Sequence, residues 1–246
     1  MRKIGICLRN TFIILFIMSL FFVLLYKYVP VYYTPLMFIR GYEQLREHRP
    51  FNIQHEWVPI DEISQQLVQA VVASEDNLFL MHNGFDFDQI EIAKQETEKG
   101  KRQRGASTIS QQTAKNVFLW PGKSFIRKGL EAYFTVLIEF VWGKKRIMEV
   151  YLNSIEMGDG IYGAEAVAQL HFNKSAAELT TQEAALIAVT LPNPRKRNSS
   201  HPSAYMLKRQ EKIISLMGKI MQVNLGRKPQ DDIDKPFVRQ RKKWRG

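Results

Sequence analysis

The pattern of apolar and polar positions divides the chain into one membrane-like segment and a helical body. Residues 11–26 carry no charge and are almost wholly apolar. A helix of that length covers about 24 Å, slightly less than the roughly 30 Å hydrocarbon core of a bilayer. Arg9 and Lys27 can reach the headgroups from its ends, so we expect an uncleaved anchor over residues 11–30. A cleaved signal peptide is the alternative, although no A-x-A-like site follows the apolar run.

The charges around the apolar run indicate its orientation. Arg2, Lys3 and Arg9 precede it, and basic residues favour the cytoplasmic side of a membrane. We therefore expect residues 1–10 in the cytoplasm, and a membrane-proximal linker at 31–58 followed by a domain outside it.

Beyond the linker the apolar residues recur at helical spacing. A first helix carries Ile63, Leu67, Ala70 and Val71 on one face. Asp86 can cap a second helix, whose inward residues would be Phe87, Ile90 and Ala93.

Later helices have recognisable start signals. Thr108 with Gln111, and Thr180 with Glu183, have capping-box spacing. Ser124 can cap a long helix whose inward residues would be Ile126, Leu130, Phe134, Leu137 and Val141. Strand signals are weak, so the fold class is mainly α, with a domain at 59–225 and a basic, disordered tail at 226–246.

Charge is concentrated in particular segments rather than spread evenly. The formal net charge is +11, but both ends are basic and residues 41–226 are nearly neutral. Basic ends beside an anchor favour contact with anionic headgroups. No nucleic-acid-binding motif is present, so we expect no nucleic-acid partner. The one cysteine, Cys7, excludes an intramolecular disulfide.

Two acids follow the first predicted helix. Glu75 and Asp76 lie at its C-terminal end, where the helix dipole disfavours negative charge, and Phe79 follows. Both features should raise the pKa of a carboxylate, which suits a general base. Solvated loop acids are the plainer interpretation of such a pair.

A basic region follows. Residues 94–146 hold twelve basic and four acidic side chains. Gln112 and Lys115 can share one helical face, as can Arg127 and Glu131. This concentration predicts an anionic ligand, and a pyrophosphate suits Lys and Arg donors. A later helix near residues 145–153 has an amphipathic pattern, which by itself favours a structural role.

No histidine or cysteine spacing predicts a metal site.

Together and in this order, four stretches resemble the motifs of the family-51 glycosyltransferases, the peptidoglycan polymerases. They are EDNLFLMHNGFD at 75–86, GASTISQQTAKN at 105–116, RKGLE at 127–131 and KKRIMEVYLN at 144–153. EAALIAVTLPNP at 183–194 also resembles the family. The resemblance implies a mainly α, lysozyme-like, two-lobed glycosyltransferase domain behind one N-terminal transmembrane helix. It is strongest to the monofunctional members, which have no transpeptidase domain.

The resemblance also implies roles for individual residues. Glu75 takes the place of the general base and Glu131 that of the second essential carboxylate. The pyrophosphate-binding positions would be Gln112, Lys115, Lys123, Arg127 and Lys128. Contact with substrate, or support of the site, would fall to Asp76, His82, Ser107, Thr108, Gln111, Asn116, Glu149 and Asn153. Some family members have arginine where Lys123 stands, so the charge is kept without bidentate geometry.

The implied reaction joins lipid II to a lipid-linked glycan chain. It makes a β-1,4 bond with inversion and releases undecaprenyl pyrophosphate, at the bacterial inner membrane with the catalytic domain in the periplasm. No cofactor is required, although the chemistry leaves room for Mg²⁺ or Mn²⁺. Other cell wall synthesis or division proteins are expected partners.

Two alternatives remain. A lysozyme-like enzyme that cleaves peptidoglycan would also use a carboxylate in a helical fold. It would not need the basic cluster, because cleaving a neutral glycosidic bond releases no pyrophosphate. A non-enzymatic, membrane-tethered wall scaffold would tolerate the loss of Glu75.

Overall fold

The computed structural model describes residues 2–98, 107–122 and 124–226. The predicted loop at 99–105, Lys123 and the tail from residue 227 lie outside the described residues. The prediction of a mainly α fold behind one N-terminal apolar helix is confirmed.

Helices make up most of the described chain. They are α1 (Arg2–Tyr28), α2 (Pro35–Arg46), α3 (Gln65–Glu75), α4 (Phe87–Glu98), α5 (Ile109–Phe118), α6 (Phe125–Val141), α7 (Gly143–Ser154), α8 (Ala164–Phe172), α9 (Thr181–Thr190) and α10 (Ala204–Met217). Single 3₁₀ turns lie at Ile60–Glu62 and Ala176–Glu178.

A small sheet holds the linker against the domain. Its strands are β1 (Gln54–His55), β2 (Glu156–Gly158) and β3 (Ile161–Tyr162), in the order β1-β3-β2. Strand β1 runs parallel to β3, and β2 runs antiparallel to it. Strands of two or three residues are too short to show an alternating pattern, so the order of apolar and polar residues does not predict them.

The predicted helix starts are confirmed. The side chains of Thr108 and Thr180 each close a capping box, with Gln111 and Glu183 respectively. The Ser124 hydroxyl accepts the backbone N–H of Arg127 at 3.1 Å. Capping depends on residues within one turn, so local spacing is sufficient to predict it.

The domain helices pack as two groups around a continuous core. Helices α3, α9 and α10 pack on one another, as do α5, α6 and α7. Leu67, Val71 and Ile187 are fully buried in the first group, and Ile109 and Ile147 in the second. Glu75 is the last residue of α3 and accepts a hydrogen bond from Gln112 on α5, so the two groups of helices meet there.

The predicted inward face of α4 is wrong. Phe87 is 74% exposed and Ile90 is 40% exposed, and no described residue of this helix is buried. Asp86 does cap the helix, since its Oδ1 accepts the N–H of Gln89 at 2.9 Å. The helix projects from the core, so its apolar residues face outward.

The predicted inward face of α6 is also wrong in part. Ile126 is 76% exposed, and the other four apolar positions are only half-buried. The buried positions are instead Arg127, Glu131, Thr135 and Ile138. Polar side chains can occupy a buried face when they satisfy one another, and these do so through ion pairs and hydrogen bonds.

The apolar helix α1 is fastened to the domain. It is long and apolar enough to cross a membrane, which is compatible with a single-pass anchor. The indole N–H of Trp142 donates to the carbonyl of Val23 at 2.7 Å, and Arg146 Nη2 donates to the carbonyl of Tyr26 at 2.8 Å. Nearer the N-terminus of α1, the hydroxyls of Ser19 and Tyr133 form a hydrogen bond of 2.8 Å. The anchor therefore docks on α6 and α7.

Candidate active site

Glu75 is the last residue of α3 and lies half-buried in the wall of a cavity. Its Oε2 accepts a hydrogen bond from Gln112 Nε2 at 3.0 Å. Burial raises the pKa of Glu75, against the opposing effects of the Gln112 amide, the Arg209 charge and the Lys115 charge. The predicted direction is correct, but burial is the largest cause, and the Phe79 ring lies instead against His82 and Lys144.

Gln112 is held on its other side by a tyrosine that the sequence did not single out. Tyr151, on α7, is fully buried, and its hydroxyl donates to Gln112 Oε1 at 3.2 Å. Burial raises the pKa of Tyr151 well above the ordinary value, so the hydroxyl keeps its proton. Glu75, Gln112 and Tyr151 thus form one chain of hydrogen bonds across α3, α5 and α7.

Asp76 ties the loop after Glu75 to the start of α5. Its carboxylate accepts the Ile109 N–H at 2.9 Å and faces His82 Nε2 at 2.9 Å. His82 Nδ1 accepts the Gly84 N–H at 3.1 Å, so Nε2 carries the ring proton and donates to Asp76.

Thr108 closes the same arrangement. Its hydroxyl donates to the Gly84 carbonyl at 2.7 Å, while the neighbouring Gln111 side chain caps the helix. Asp76, His82, Thr108 and Gln111 are therefore support residues, which hold α5 and the candidate base in fixed relation.

A cluster of cations surrounds Glu131. Its Oε2 accepts from Arg127 Nη1 at 2.6 Å, and its Oε1 pairs with Lys128 Nζ. Glu131 is 3% exposed and Arg127 is 8% exposed. The Arg127 Nε is buried without a hydrogen-bond partner among the described residues. That donor, with the half-exposed Lys128 ammonium, is suited to an anion.

Lys115 belongs to the same cluster. Burial lowers its pKa, Glu131 opposes this, and the positive charges of Arg127 and Lys128 lower it further. Lys115 therefore lies near enough to Arg127, Lys128 and Glu131 for their charges to act on it, and a shared role of the four residues stays a prediction. Lys123 is outside the described residues.

The remaining candidate residues lie at the margin of the site or away from it. Ser107 is exposed, and its carbonyl lies 3.5 Å from Gln112 Nε2. Asn116 is buried on α5, with an Nδ2 that has no partner among the described residues. Glu149 and Asn153 bind the backbone N–H groups of Ile60 and Val58, both at 3.0 Å, and so fix the linker.

A second set of charges, which the sequence did not identify, lies on the other group of helices. A cavity of about 200 Å³ is lined by Ser74, Glu75, Ala188, Val189, Pro192, Arg197, Tyr205, Arg209 and Ile213. The Arg197 guanidinium lies over the Tyr205 ring at 5.3 Å and donates to the Val189 carbonyl at 2.7 Å. Glu75 therefore has a cationic environment on both sides. The basic stretch after residue 194 could have signalled this.

No group of three or more His, Cys, Asp or Glu side chains that could hold a metal ion occurs in the described ranges.

The comparisons with known proteins agree with this geometry. A family model described as transglycosylase matches residues 43–218, which include every candidate side chain. The chain belongs to this family. The resemblance predicted from the four motifs is therefore confirmed. The match begins before the predicted domain start at residue 59, and the domain boundaries stay a prediction.

Several relatives carry the name biosynthetic peptidoglycan transglycosylase. The relative from Bacteroides thetaiotaomicron is 58% identical over 216 residues, covering 88% of this chain and 87% of the relative. The relative from Bdellovibrio bacteriovorus is 52% identical, covering 82% and 81%. The relative from Caulobacter vibrioides is 50% identical, covering 87% and 92%. This chain is thus similar to them over most of their length.

Proposed function

We propose that this chain is a peptidoglycan glycosyltransferase, which joins lipid II units into β-1,4-linked glycan strands for the bacterial cell wall. The observation that carries the proposal is the position of Glu75. This half-buried carboxylate lies between a cationic cluster on α5 and α6 and an arginine-lined cavity on α3, α9 and α10. Glu75 can accept a proton, the cationic cluster can bind an anionic leaving group, and the cavity can bind the acceptor sugar. These three parts are adjacent.

Glu75 is the general base of the proposed reaction. It removes the proton from the 4-hydroxyl of the acceptor N-acetylglucosamine as that oxygen attacks the anomeric carbon of the donor. The bond from that carbon to the lipid pyrophosphate breaks, and its electron pair leaves on the phosphate oxygen. Attack opposite the leaving group inverts the centre to β. A raised carboxylate pKa favours this role, because the proton-transfer driving force increases.

The cationic cluster stabilises the leaving pyrophosphate. Lys115, Arg127 and Lys128 bring three positive charges to one region, and fixed cations stabilise charge that develops in the transition state. Glu131 accepts from two of the three, so its role is to hold Arg127 and Lys128 in place. This explains why a buried carboxylate is needed inside an anion-binding cluster.

The cavity beside Glu75 receives the acceptor. An in-line displacement requires the attacking oxygen and the leaving group to lie on opposite sides of the anomeric carbon. The cavity is built by a different set of helices from the cationic cluster, and both adjoin Glu75. Arg197 and Arg209 can donate to acceptor oxygens, while Pro192 and Tyr205 offer apolar surface.

The enzyme is held in the inner membrane by α1, with residues 1–10 in the cytoplasm and the domain in the periplasm. The basic residues before the apolar run support this orientation. Its substrates are lipid II and the growing lipid-linked glycan chain, and other wall-synthesis proteins are its expected partners.

Purified protein with labelled lipid II tests the proposal. We expect a labelled polymer that muramidase digests to disaccharide units. Release of labelled sugar from peptidoglycan without polymer formation would indicate a lysozyme-like hydrolase. A folded protein that binds wall components and performs neither reaction would indicate a scaffold.

A further inference from the structure

The side-chain amide of Gln112 has one orientation that satisfies its neighbours. Its Nε2 faces two acceptors, Glu75 Oε2 at 3.0 Å and the Ser107 carbonyl at 3.5 Å. Its Oε1 faces the hydroxyl of Tyr151 at 3.2 Å. Reversing the amide would set an oxygen against the Glu75 carboxylate, so the NH₂ group must point to Glu75.

Tyr151 is placed to enforce this orientation. Its ring is fully buried in α7, which fixes where the hydroxyl can reach. A buried tyrosine hydroxyl needs a partner, and Gln112 Oε1 provides it. The contact joins α7 to α5, while the Gln112 amide joins α5 to the end of α3.

We infer that Tyr151 is a positioning residue for catalysis: through Gln112 it fixes which oxygen of Glu75 is occupied and which is left to take the acceptor proton. Oε2 is engaged by Gln112, and Oε1 makes no hydrogen bond within the described part of the chain. The inference rests on the proposed role of Glu75 as general base.

The inferred role has a specific signature in the pH dependence. The Gln112 hydrogen bond lowers the pKa of Glu75 against the raising effect of burial. If Gln112 loses its orientation, the ionised form of Glu75 loses that bond and its pKa rises. The acidic limb of the rate profile should then move to higher pH.

Tyr151→Phe removes the hydroxyl and keeps the ring. We expect kcat for lipid II polymerisation to fall by roughly three- to tenfold, the range of one neutral hydrogen bond. KM should change little, because Tyr151 is fully buried and its side chain is therefore not exposed to substrate. The acidic limb should move to higher pH, because the Gln112 hydrogen bond that lowers the pKa of Glu75 is weakened.

Tyr162→Phe is the matched control. Tyr162 is also a fully buried tyrosine, it lies on β3, and its hydroxyl has no hydrogen-bond partner among the described residues. Loss of this hydroxyl should leave kcat and the pH profile unchanged. An equal effect of both variants would mean that Tyr151 acts through packing, and would overturn the inference.

A double-mutant cycle with Gln112→Leu tests whether Tyr151 acts on Glu75 through Gln112. Tyr151→Phe should have no further effect in that background, because the amide it orients is absent. A full additional loss would overturn the inference, and so would an unchanged kcat and pH profile in the single variant.

Two related substitutions cover a failure of Tyr151→Phe to fold. 4-Aminophenylalanine at position 151 keeps a donor and should retain a near-normal kcat, whereas 4-fluorophenylalanine fills the same space without a donor and should lower kcat by roughly three- to tenfold. Equal activity of the two would refute the role.

Glu75→Gln separates this inference from the proposed function. If Glu75→Gln still polymerises lipid II, the base has been misidentified whatever Tyr151 does. If Glu75→Gln is inactive and Tyr151→Phe is normal, only the positioning role fails.

Discussion

Glu131→Gln tests whether the buried carboxylate serves the cations or the fold. The change keeps the shape of the side chain but removes the charge that pairs with Arg127 and Lys128. Removing one partner of a buried ion pair typically costs about 3–5 kcal/mol of stability. The Arg127 side chain is only 10% exposed, but that of Lys128 is 50% exposed and water can solvate it. The amide oxygen can still accept one hydrogen bond, so we expect a loss of about 2–3 kcal/mol in the free energy of unfolding.

The activity of Glu131→Gln should fall by more than its loss of folded protein can explain. Misplaced cations no longer stabilise the leaving pyrophosphate, and one such contact is worth about 10²–10³ in kcat. Denaturant unfolding and lipid II polymerisation, measured on the same preparation, separate the two effects. Glu139→Gln is the control, because Glu139 lies on the same helix with similar burial and pairs with Lys144 and Ser110. We expect it to lose similar stability and keep its activity. Near-normal polymerisation by Glu131→Gln, or an equal loss in Glu139→Gln, would refute the proposed role of Glu131.

Three further predictions concern the leaving-group site, the acceptor site and the membrane topology. Lys115→Ala should raise the activation free energy of lipid II polymerisation by about 2.7–4 kcal/mol with the fold intact. A near-normal rate would show that Lys115 does not stabilise the leaving pyrophosphate. Arg209→Ala should raise the KM for lipid II about tenfold with little change in kcat, because Arg209 is expected to bind the substrate equally in the ground state and the transition state. Arg209→Lys keeps the charge and should raise KM less. An unchanged KM would show that the acceptor does not bind in the cavity beside Arg209. A phosphatase fused after Gly41 should be active in the periplasm, whereas activity confined to the cytoplasm would exclude the proposed orientation.

The sequence was most informative where one helical turn decides the outcome. The capping boxes at Thr108 and Thr180 involve residues three positions apart, and both form as predicted. The raised pKa of Glu75 was predicted in direction because its place at a helix end was readable. Its main cause, burial, depends on α9 and α10, which are distant in sequence, and so it could not be read from the local pattern.

Prediction failed where polar residues occupy a buried face or where distant segments meet. On α6 the apolar stripe suggested Ile126 as an inward residue, but Arg127 and Glu131 are buried because they pair with each other. Arg209 approaches Glu75 only because α10 folds back onto α3. Tyr151 appeared to be part of a scaffold helix, since nothing local signals its contact with Gln112.

The central claim, that Glu75 takes the acceptor proton, is tested most directly by the pH profile of polymerisation in wild type and Glu75→Gln. A base must be ionised to act, so the wild-type rate should fall as the pH drops through a pKa raised above the usual glutamate value of about 4.3. Because the folded state then binds this proton more tightly than the unfolded state, ionising Glu75 costs stability as the pH rises through that range. Glu75→Gln should therefore be at least as stable as wild type at neutral pH and still bind lipid II. Its rate should be at least 10²–10⁴-fold lower and should lack the acidic limb. A folded Glu75→Gln variant that makes polymer with the wild-type profile would contradict the claim.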